Sequence, residues 1–202
     1  MAVTPRANGI RSRASILARS LELTAARGLH AATIGALAAA LGMSKSGVFA
    51  HFGSKGALDL AVIDAAASAF ARDVMAPADA APPGIARVAA LCEGFLAYAA
   101  APAGAGSRLT PDHPAFGLGT SMSARARLDG WRDQWLQALA GSVEQAIARQ
   151  ELSGSAEAAQ VVFELDGVLE AAARTARWQP AAAAVSRARM AIDRVLLAER
   201  DA

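Results

Sequence analysis

The side chains able to form charged hydrogen bonds are concentrated in the first 60 positions of this 202-residue chain. That segment holds seven basic and two acidic residues, a net charge of +5, whereas the remaining 142 residues carry a net charge of −3. Both lysines of the chain, Lys45 and Lys55, lie in it. Such an asymmetry indicates a nucleic-acid or membrane contact confined to the basic part. We therefore expect the partner to bind the N-terminal quarter.

The sequence lacks the residue patterns typical of catalysis or metal binding. It contains no Gly-x-Ser-x-Gly, no Gly-rich phosphate loop and no Ser-x-x-Lys. The single cysteine, Cys92, and the three histidines, His30, His51 and His113, show no metal-ligand spacing. We expect no enzymatic activity, no cofactor and no metal.

Helices must position the charged residues. The chain contains 55 alanines, the residue with the highest helix propensity, whereas Val, Ile and Thr, which favour strands, together number 24. Apolar spacing predicts helices over residues 10–27, 34–41, 45–52, 54–76, 85–101, 122–152, 156–178 and 181–199, with 122–152 forming one long helix or two. The proline- and glycine-rich stretch 102–120 is expected to be irregular and mobile, either as a lid or as a disordered segment.

Hydroxyl residues stand where three of these helices begin. Thr33, Ser44 and Ser54 are predicted N-caps, whose side-chain oxygens accept hydrogen bonds from backbone N–H groups of the first turn. Gly28 and Gly42 are predicted to end the helices before them. Two short helices joined at Gly42 predict a helix-turn-helix, in which the second helix enters the DNA major groove.

Short stretches around this helix pair carry a family resemblance: Ile16-Leu17, Gly28-Leu29, Thr33-Ile34, Leu37-Ala38, Leu41 to Phe49, His51-Phe52 and Ser54-Lys55-x-x-Leu58. In these residues the chain resembles the tetracycline-repressor (TetR) family of transcriptional regulators. A second similarity, over Ala146 to Leu152 and Gln160 to Gly167, is to one C-terminal subgroup of that family. We expect an all-α fold with a three-helix DNA-binding domain over 1–53 and a helical ligand-binding bundle that dimerises over 54–202. A helix over about 54–76 would connect the two.

The resemblance implies which residues bind double-stranded DNA. Thr33 would touch a phosphate while capping its helix, Lys45, Ser46 and Gly47 would face the groove, and His51 and Lys55 would bind phosphates. Cations, hydroxyls and helix N-terminal amides are the usual phosphate ligands. Phe49 stands where the family commonly has Tyr, so it can pack on a sugar or a thymine methyl but has no hydroxyl to donate. The predicted set is Thr33, Ser44, Lys45, Ser46, Gly47, Phe49, His51 and Lys55.

The C-terminal helices are expected to hold a small apolar effector. Ligand sites in helical bundles are lined by apolar and aromatic side chains with a few polar groups. The candidates are Cys92, Phe95, Tyr98, Phe116, Met122, Trp131, Trp135 and Phe163, and ordinary core packing is the alternative for each. Leu91 and Glu93 bring no positive charge to Cys92, which argues against a redox-sensing thiol.

The last two helices are expected to form a homodimer, because they carry more apolar surface than one edge of a bundle requires. The predicted interface residues are Val162, Leu165, Leu169, Ala172, Ala188, Ile192 and Val195. A two-fold dimer would hold two recognition helices about 34 Å apart, one turn of the duplex, and so predicts a palindromic operator.

These features together predict a sequence-specific repressor that a small molecule releases from DNA. Two alternatives stay open: a constitutive DNA-binding or scaffold protein without an effector, and an all-helical enzyme whose N-terminal motif is accidental. Activation in place of repression is open as well. No run of 18 apolar residues escapes interruption and no signal-peptide-like block occurs near the start, so we expect a soluble, cytoplasmic protein without membrane contact.

Overall fold

The computed structural model describes residues 5–101, 109–117 and 120–201, and this part of the chain contains helices and turns but no strand. The all-α prediction is therefore confirmed. The α-helices are α1 (Pro5–Arg27), α2 (Ile34–Leu41), α3 (Lys45–Phe52), α4 (Lys55–Phe70), α5 (Ala76–Asp79), α6 (Ile85–Ala100), α7 (Met122–Ala148), α8 (Ala158–Thr175) and α9 (Ala181–Asp201).

The three predicted N-caps form as expected. The hydroxyl of Thr33 accepts a hydrogen bond from the Ala36 N–H at 3.1 Å, that of Ser44 from Gly47 at 3.0 Å, and that of Ser54 from Ala57 at 3.1 Å. Each bond satisfies one of the N–H groups that a helix start leaves without an intrahelical partner. These caps fix where α2, α3 and α4 begin.

Gly42 ends α2 in the left-handed region, at a φ of +62°. Its N–H and that of Met43 both donate to the carbonyl oxygen of Ala38, so the chain turns within two residues. A residue with a Cβ would strain at this φ. The turn between α2 and α3 thus depends on a glycine at position 42.

The chain divides into two compact units, Met1–Ala69 with Ala103–Gly130 and Phe70–Pro102 with Trp131–Ala202. We call them unit 1 and unit 2. The sequence predicts a functional boundary after residue 53, and this boundary stays a prediction. The boundaries of the compact units differ from it, since unit 1 also contains residues 54–69 and 103–130.

The core of unit 1 is built from one apolar face of each short helix. Ile16 of α1, Leu37 of α2, Val48 of α3 and Leu58 of α4 are fully buried. The segment 109–117 belongs to this unit and contributes Leu109 and Phe116, which are also buried, while its short 3₁₀ turn Pro114–Phe116 contacts α1. Part of the stretch that the sequence predicts to be mobile is therefore packed; residues 102–108 and 118–119 lie outside the described residues.

The helix predicted over 54–76 is interrupted. After α4 ends at Phe70, residues Ala71–Met75 form a π-helical turn in which the Ala76 N–H donates to the Ala71 carbonyl, and α5 follows. Pro77, in the first turn of α5, has no N–H and would clash with the carbonyl four residues earlier in a regular α-helix. A widened turn before the proline relieves that conflict.

Unit 2 packs α6, α8 and α9 against one another. Its core includes Phe95 and Leu96 of α6, Leu139 of α7 and Leu165 of α8, all fully buried. Across the described residues no helix is long and apolar enough to cross a membrane.

Candidate nucleic-acid interface

Helix α3 buries one residue and exposes the rest of its first turn. Val48 is fully buried and anchors the helix, whereas Lys45, Ser46 and Phe49 point to solvent. These three positions are neighbours on one helical face. Phe49 is 51% exposed, which is unusual for a large apolar side chain in a unit that has its own core.

The first turn of α3 is stabilised by Ser44, whose hydroxyl accepts from the Gly47 N–H and lies 3.1 Å from the Ser46 hydroxyl. Gly47 leaves room for this arrangement, since a Cβ added there would lie 3.1 Å from the Ser44 oxygen. The predicted groove residues Ser44, Ser46 and Gly47 are thus brought together by the cap itself.

Lys45 lies close to α2. A Cβ added to Gly35 would stand 3.6 Å from the Lys45 Cε, so the aliphatic stem of the lysine passes over that glycine. The side chain is nevertheless exposed, as is Thr33 at the start of α2. Both predicted DNA-binding residues therefore remain accessible.

Lys55 is engaged within unit 1. Its ammonium group donates to the Leu29 carbonyl oxygen at 3.0 Å and forms an ion pair with Asp59 one turn later on α4. The predicted phosphate ligand thus ties α4 to the short 3₁₀ turn after α1. The spacing i, i+4 between Lys55 and Asp59 is the signal that would have revealed the pair in the sequence.

The end of α3 is supported from α1. The Arg13 guanidinium lies over the Phe52 ring, 4.9 Å from its centroid, a cation–π contact. The neighbouring His51 is half-buried, with its ring 6.3 Å from that of Phe52. Sequence reasoning missed Arg13, because nothing local links two residues this far apart in the chain.

Four of the predicted effector residues cluster in unit 2 around a residue that the sequence did not single out. The ring of Phe70 makes edge contacts with Phe95, Tyr98, Trp131 and Trp135, at centroid distances of 5.4 to 5.8 Å. Phe95, Trp131 and Trp135 are buried and Tyr98 is half-buried. We call these five residues the aromatic cluster.

A carboxylate lies beside the aromatic cluster. Asp166 of α8, nearly buried, accepts a hydrogen bond from the Trp135 indole N–H at 2.9 Å and another from Arg132 at 3.1 Å. Sequence analysis missed this acid, although the sequence shows an aspartate among the apolar positions that form the buried face of α8. It gives the cluster the polar group that a wholly apolar core would lack.

The other predicted effector residues are placed differently. Cys92 is buried, and burial, with a smaller contribution from Glu93, raises the pKa of its thiol to about 12. Phe116 belongs to unit 1, where it is buried. Met122 and Phe163 are 92% and 74% exposed and line no interior site of the monomer. Phe163 is turned outward because Val161 and Leu165, two positions away on either side, occupy the buried face of α8.

Most of the predicted dimer residues already pack inside the monomer. Six of the seven are buried, namely Val162, Leu165, Leu169, Ala172, Ala188 and Ile192, and Val195 is half-buried. The predicted residues face inward because the periodicity of an amphipathic helix shows which residues are apolar, but not whether the same chain or a partner subunit packs against them.

Another apolar surface of these two helices is open. Phe163, Met190 and Leu197 are exposed, as is Trp178 after α8. A groove of about 270 Å³ also runs between α8 and α9, lined mainly by alanines, among them Ala172 and Ala188 of the predicted interface, with Val168 and Arg187. We call these exposed residues and this groove the α8–α9 face.

In the described part of the chain no group of three His, Cys, Asp or Glu residues could hold a metal ion.

Two family models match successive parts of the chain. Residues 16–62 match the family model described as "Bacterial regulatory proteins, tetR family", and residues 84–192 match "Tetracyclin repressor-like, C-terminal domain". No curated protein sequence matched the chain.

Solved structures show the fold. A TetR-family transcriptional regulator from Streptomyces coelicolor superposes with a TM-score of 0.78 at 17% identity, over 94% of this chain and 96% of that one. A TetR-family regulator from Cytophaga hutchinsonii gives 0.74 at 16% identity, over 98% of each chain. AibR, crystallised with isovaleryl coenzyme A and operator DNA, gives 0.69 at 16% identity, over 86% of this chain and 94% of its own.

Proposed function

The chain belongs to the tetR family of bacterial regulatory proteins, and from this we propose that it is a repressor that holds a palindromic operator as a homodimer and releases it when a small apolar molecule binds in unit 2. As a member of this family it is a DNA-binding transcriptional regulator and not an enzyme. Since such a protein works on the chromosome, we also propose that it is cytoplasmic.

The observation that carries the proposal is the exposed face of α3 directly after a capped turn. Lys45 and Ser46 can donate to base edges in the major groove, and lysine to guanine O6 or N7 is a frequent pairing. The N-terminal amides of α2 and α3, with Thr33 and Ser44, suit phosphate oxygens. Phe49 is exposed enough to pack on a thymine methyl or a sugar, and His51 can reach a phosphate from the end of α3.

The α8–α9 face supports the homodimer. Phe163, Met190 and Leu197 are large exposed side chains, and the groove between α8 and α9 is lined mainly by methyl groups, so a second copy offers side chains that could fill it. A two-fold interface uses the same patch twice and therefore needs a patch with both projections and hollows. We propose that these residues, and not the buried Leu165 or Ile192, contact the partner subunit.

The aromatic cluster with Asp166 supports an effector site. Ligand sites combine apolar walls with a few polar groups that orient the ligand, and Asp166 with Arg132 would supply those groups. AibR, which shares the fold, has been crystallised in complex with isovaleryl coenzyme A and operator DNA, so a chain of this fold can take both kinds of partner. Phe70 is the last residue of α4, so a ligand that displaces its ring would act on the helix that begins at Lys55. The free energy of release is limited by how much more tightly the ligand binds the DNA-free state.

Fluorescence anisotropy with the upstream region of its own gene tests DNA binding and repression together. We expect specific binding that survives an excess of random DNA, that protects a palindrome, and that weakens when the effector is added. Lys45→Ala should relax base preference at one position of each half-site, with Arg189→Gln in unit 2 as the matched control. Absence of sequence-specific binding at low salt would contradict the proposal.

A constitutive regulator is the second candidate, and one observation favours it. The rings of the aromatic cluster touch one another, and Phe95 and Trp135 are fully enclosed, so a ligand would have to displace them. A thermal-shift screen separates the two functions. A compound that raises the midpoint of the full-length protein and lowers its affinity for DNA identifies an effector-controlled repressor, whereas a screen without stabilising compounds favours constitutive binding.

A further inference from the structure

Unit 1 contains a surface groove that is lined by none of the predicted DNA-binding residues. It lies between α1, α4 and the beginning of α7, and its volume of about 510 Å³ is in the range of small-molecule sites. The half-buried side chains of Leu17, Leu60 and Ala61 form its floor. We call it the α1–α4 groove.

The α1–α4 groove is lined by more positive than negative charge. Arg13 and Arg127 line it together with one carboxylate, Asp64. Arg127 forms an ion pair with Asp64, so these two charges compensate one another. No described carboxylate lies within ion-pair distance of Arg13, whose recorded contact is the face of the Phe52 ring. One cation at the edge of an apolar floor is therefore left to attract an anion.

We propose that the α1–α4 groove binds a small amphipathic anion, a carboxylate with a hydrocarbon chain. The carboxylate would pair with Arg13, because a guanidinium presents two parallel N–H donors that match the two oxygens of a carboxylate. The chain would cover Leu17, Leu60 and Ala61, and burial of each methylene group adds to the affinity. This site is separate from the proposed effector site, since all its residues belong to unit 1.

Occupancy of the groove would reach the DNA-binding helix through a single residue. The guanidinium that binds the carboxylate is the one that lies over Phe52, the last residue of α3. A ligand that draws Arg13 into the groove removes this support from α3 and so lowers affinity for DNA. By linkage, operator DNA must lower affinity for the ligand by the same factor.

The test uses the full-length protein and titration calorimetry with sodium octanoate below its micelle-forming concentration. We expect octanoate to bind and 1-octanol and octyltrimethylammonium to bind at least about tenfold more weakly, because only the anion pairs with Arg13. Operator DNA should weaken octanoate binding. Octanol binding as tightly as octanoate, or no octanoate binding at all, would overturn the proposal.

Variants locate the site. Arg13→Gln should weaken octanoate binding about tenfold, and Asp64→Asn should strengthen it because Arg127 then becomes available. Ala61→Phe fills the groove and leaves Arg13 unsubstituted, and it should abolish binding, with circular dichroism showing that each variant is folded and Arg189→Gln as the control. Octanoate binding that survives Ala61→Phe but disappears in Trp135→Ala belongs to the aromatic cluster; that result overturns this site and supports the proposed effector. Conversely, failure to find an effector in unit 2 leaves this site untouched.

Discussion

Lys55 and Asp59 form an ion pair on successive turns of α4, and the same ammonium group donates to the Leu29 carbonyl oxygen. The lysine therefore has two roles. In the free protein it joins α4 to the turn after α1, and on DNA it is the residue that the family resemblance assigns to a phosphate. If Lys55 binds a phosphate as we propose, Asp59 competes with that phosphate for one cation and sets how readily Lys55 binds DNA.

Substitutions at this pair should change DNA affinity without changing sequence preference. We expect Lys55→Ala to weaken operator and random DNA alike and to lower the salt slope by about one unit per half-site. Asp59→Asn should strengthen both, since it frees the ammonium group. Anisotropy titrations at several salt concentrations measure both effects. A salt slope in Lys55→Ala equal to that of the wild type would show that this lysine does not bind a phosphate.

The cap of α3 should be visible in stability. Ser44→Ala removes the oxygen that accepts from the Gly47 N–H and should cost about 1 kcal/mol of the free energy of unfolding. Ser186→Ala is the matched control, because Ser186 is exposed within α9 and caps no helix. Urea unfolding of both variants gives the comparison. Equal losses would mean that the cap is not the source of the stability.

The α8–α9 face should govern the oligomeric state. Met190→Glu and Leu197→Glu would each place a charge among apolar contacts and should convert the dimer into monomers, seen as a lower mass in sedimentation velocity. Met122→Glu changes an even more exposed methionine in unit 1 and should leave the mass unchanged. Operator affinity should fall with the loss of the dimer. A dimer that survives both unit 2 variants has its interface elsewhere.

The buried thiol of Cys92 should resist reagents and add a pH dependence. Its pKa is raised from 9.0 to about 12, so at neutral pH it is a neutral thiol in the folded protein. In the unfolded chain it ionises near its ordinary pKa, which means that stability from this group is complete below about pH 9 and is lost as the pH rises towards 12. Cys92→Ala should remove this part of the alkaline decline.

Thiol titration provides the direct measurement. A disulfide reagent should label Cys92 in the folded protein no faster than the protein opens to expose the thiol. In denaturant it should label Cys92 immediately, because the exposed thiol can ionise and the thiolate is the reactive species. Fast labelling of the folded protein at neutral pH would show that the thiol is accessible and that burial does not hold its pKa high.

Short-range features were predictable because each is decided within a few residues. Thr33, Ser44 and Ser54 cap helices through bonds to N–H groups three residues later, and Gly42 turns the chain at a φ that other residues avoid. The helix-turn-helix and the family followed from those local patterns. The π-helical turn at Ala71–Met75 was not predicted. Pro77 indicated that the helix is disturbed near this position, but a proline can either end a helix or be accommodated within it.

The sequence by itself determined an all-helical chain, the positions of its caps and the family to which it belongs, since propensity, capping and periodicity act locally. Only the tertiary structure decided which apolar residues are free to meet a partner. Leu165 and Phe163 lie two positions apart on α8, yet one is buried in the monomer and the other is exposed. It also brought Arg13 to Phe52 and Asp166 to Trp135, pairs far apart in the chain. Contacts of this kind depend on how helices pack, and no local pattern encodes them.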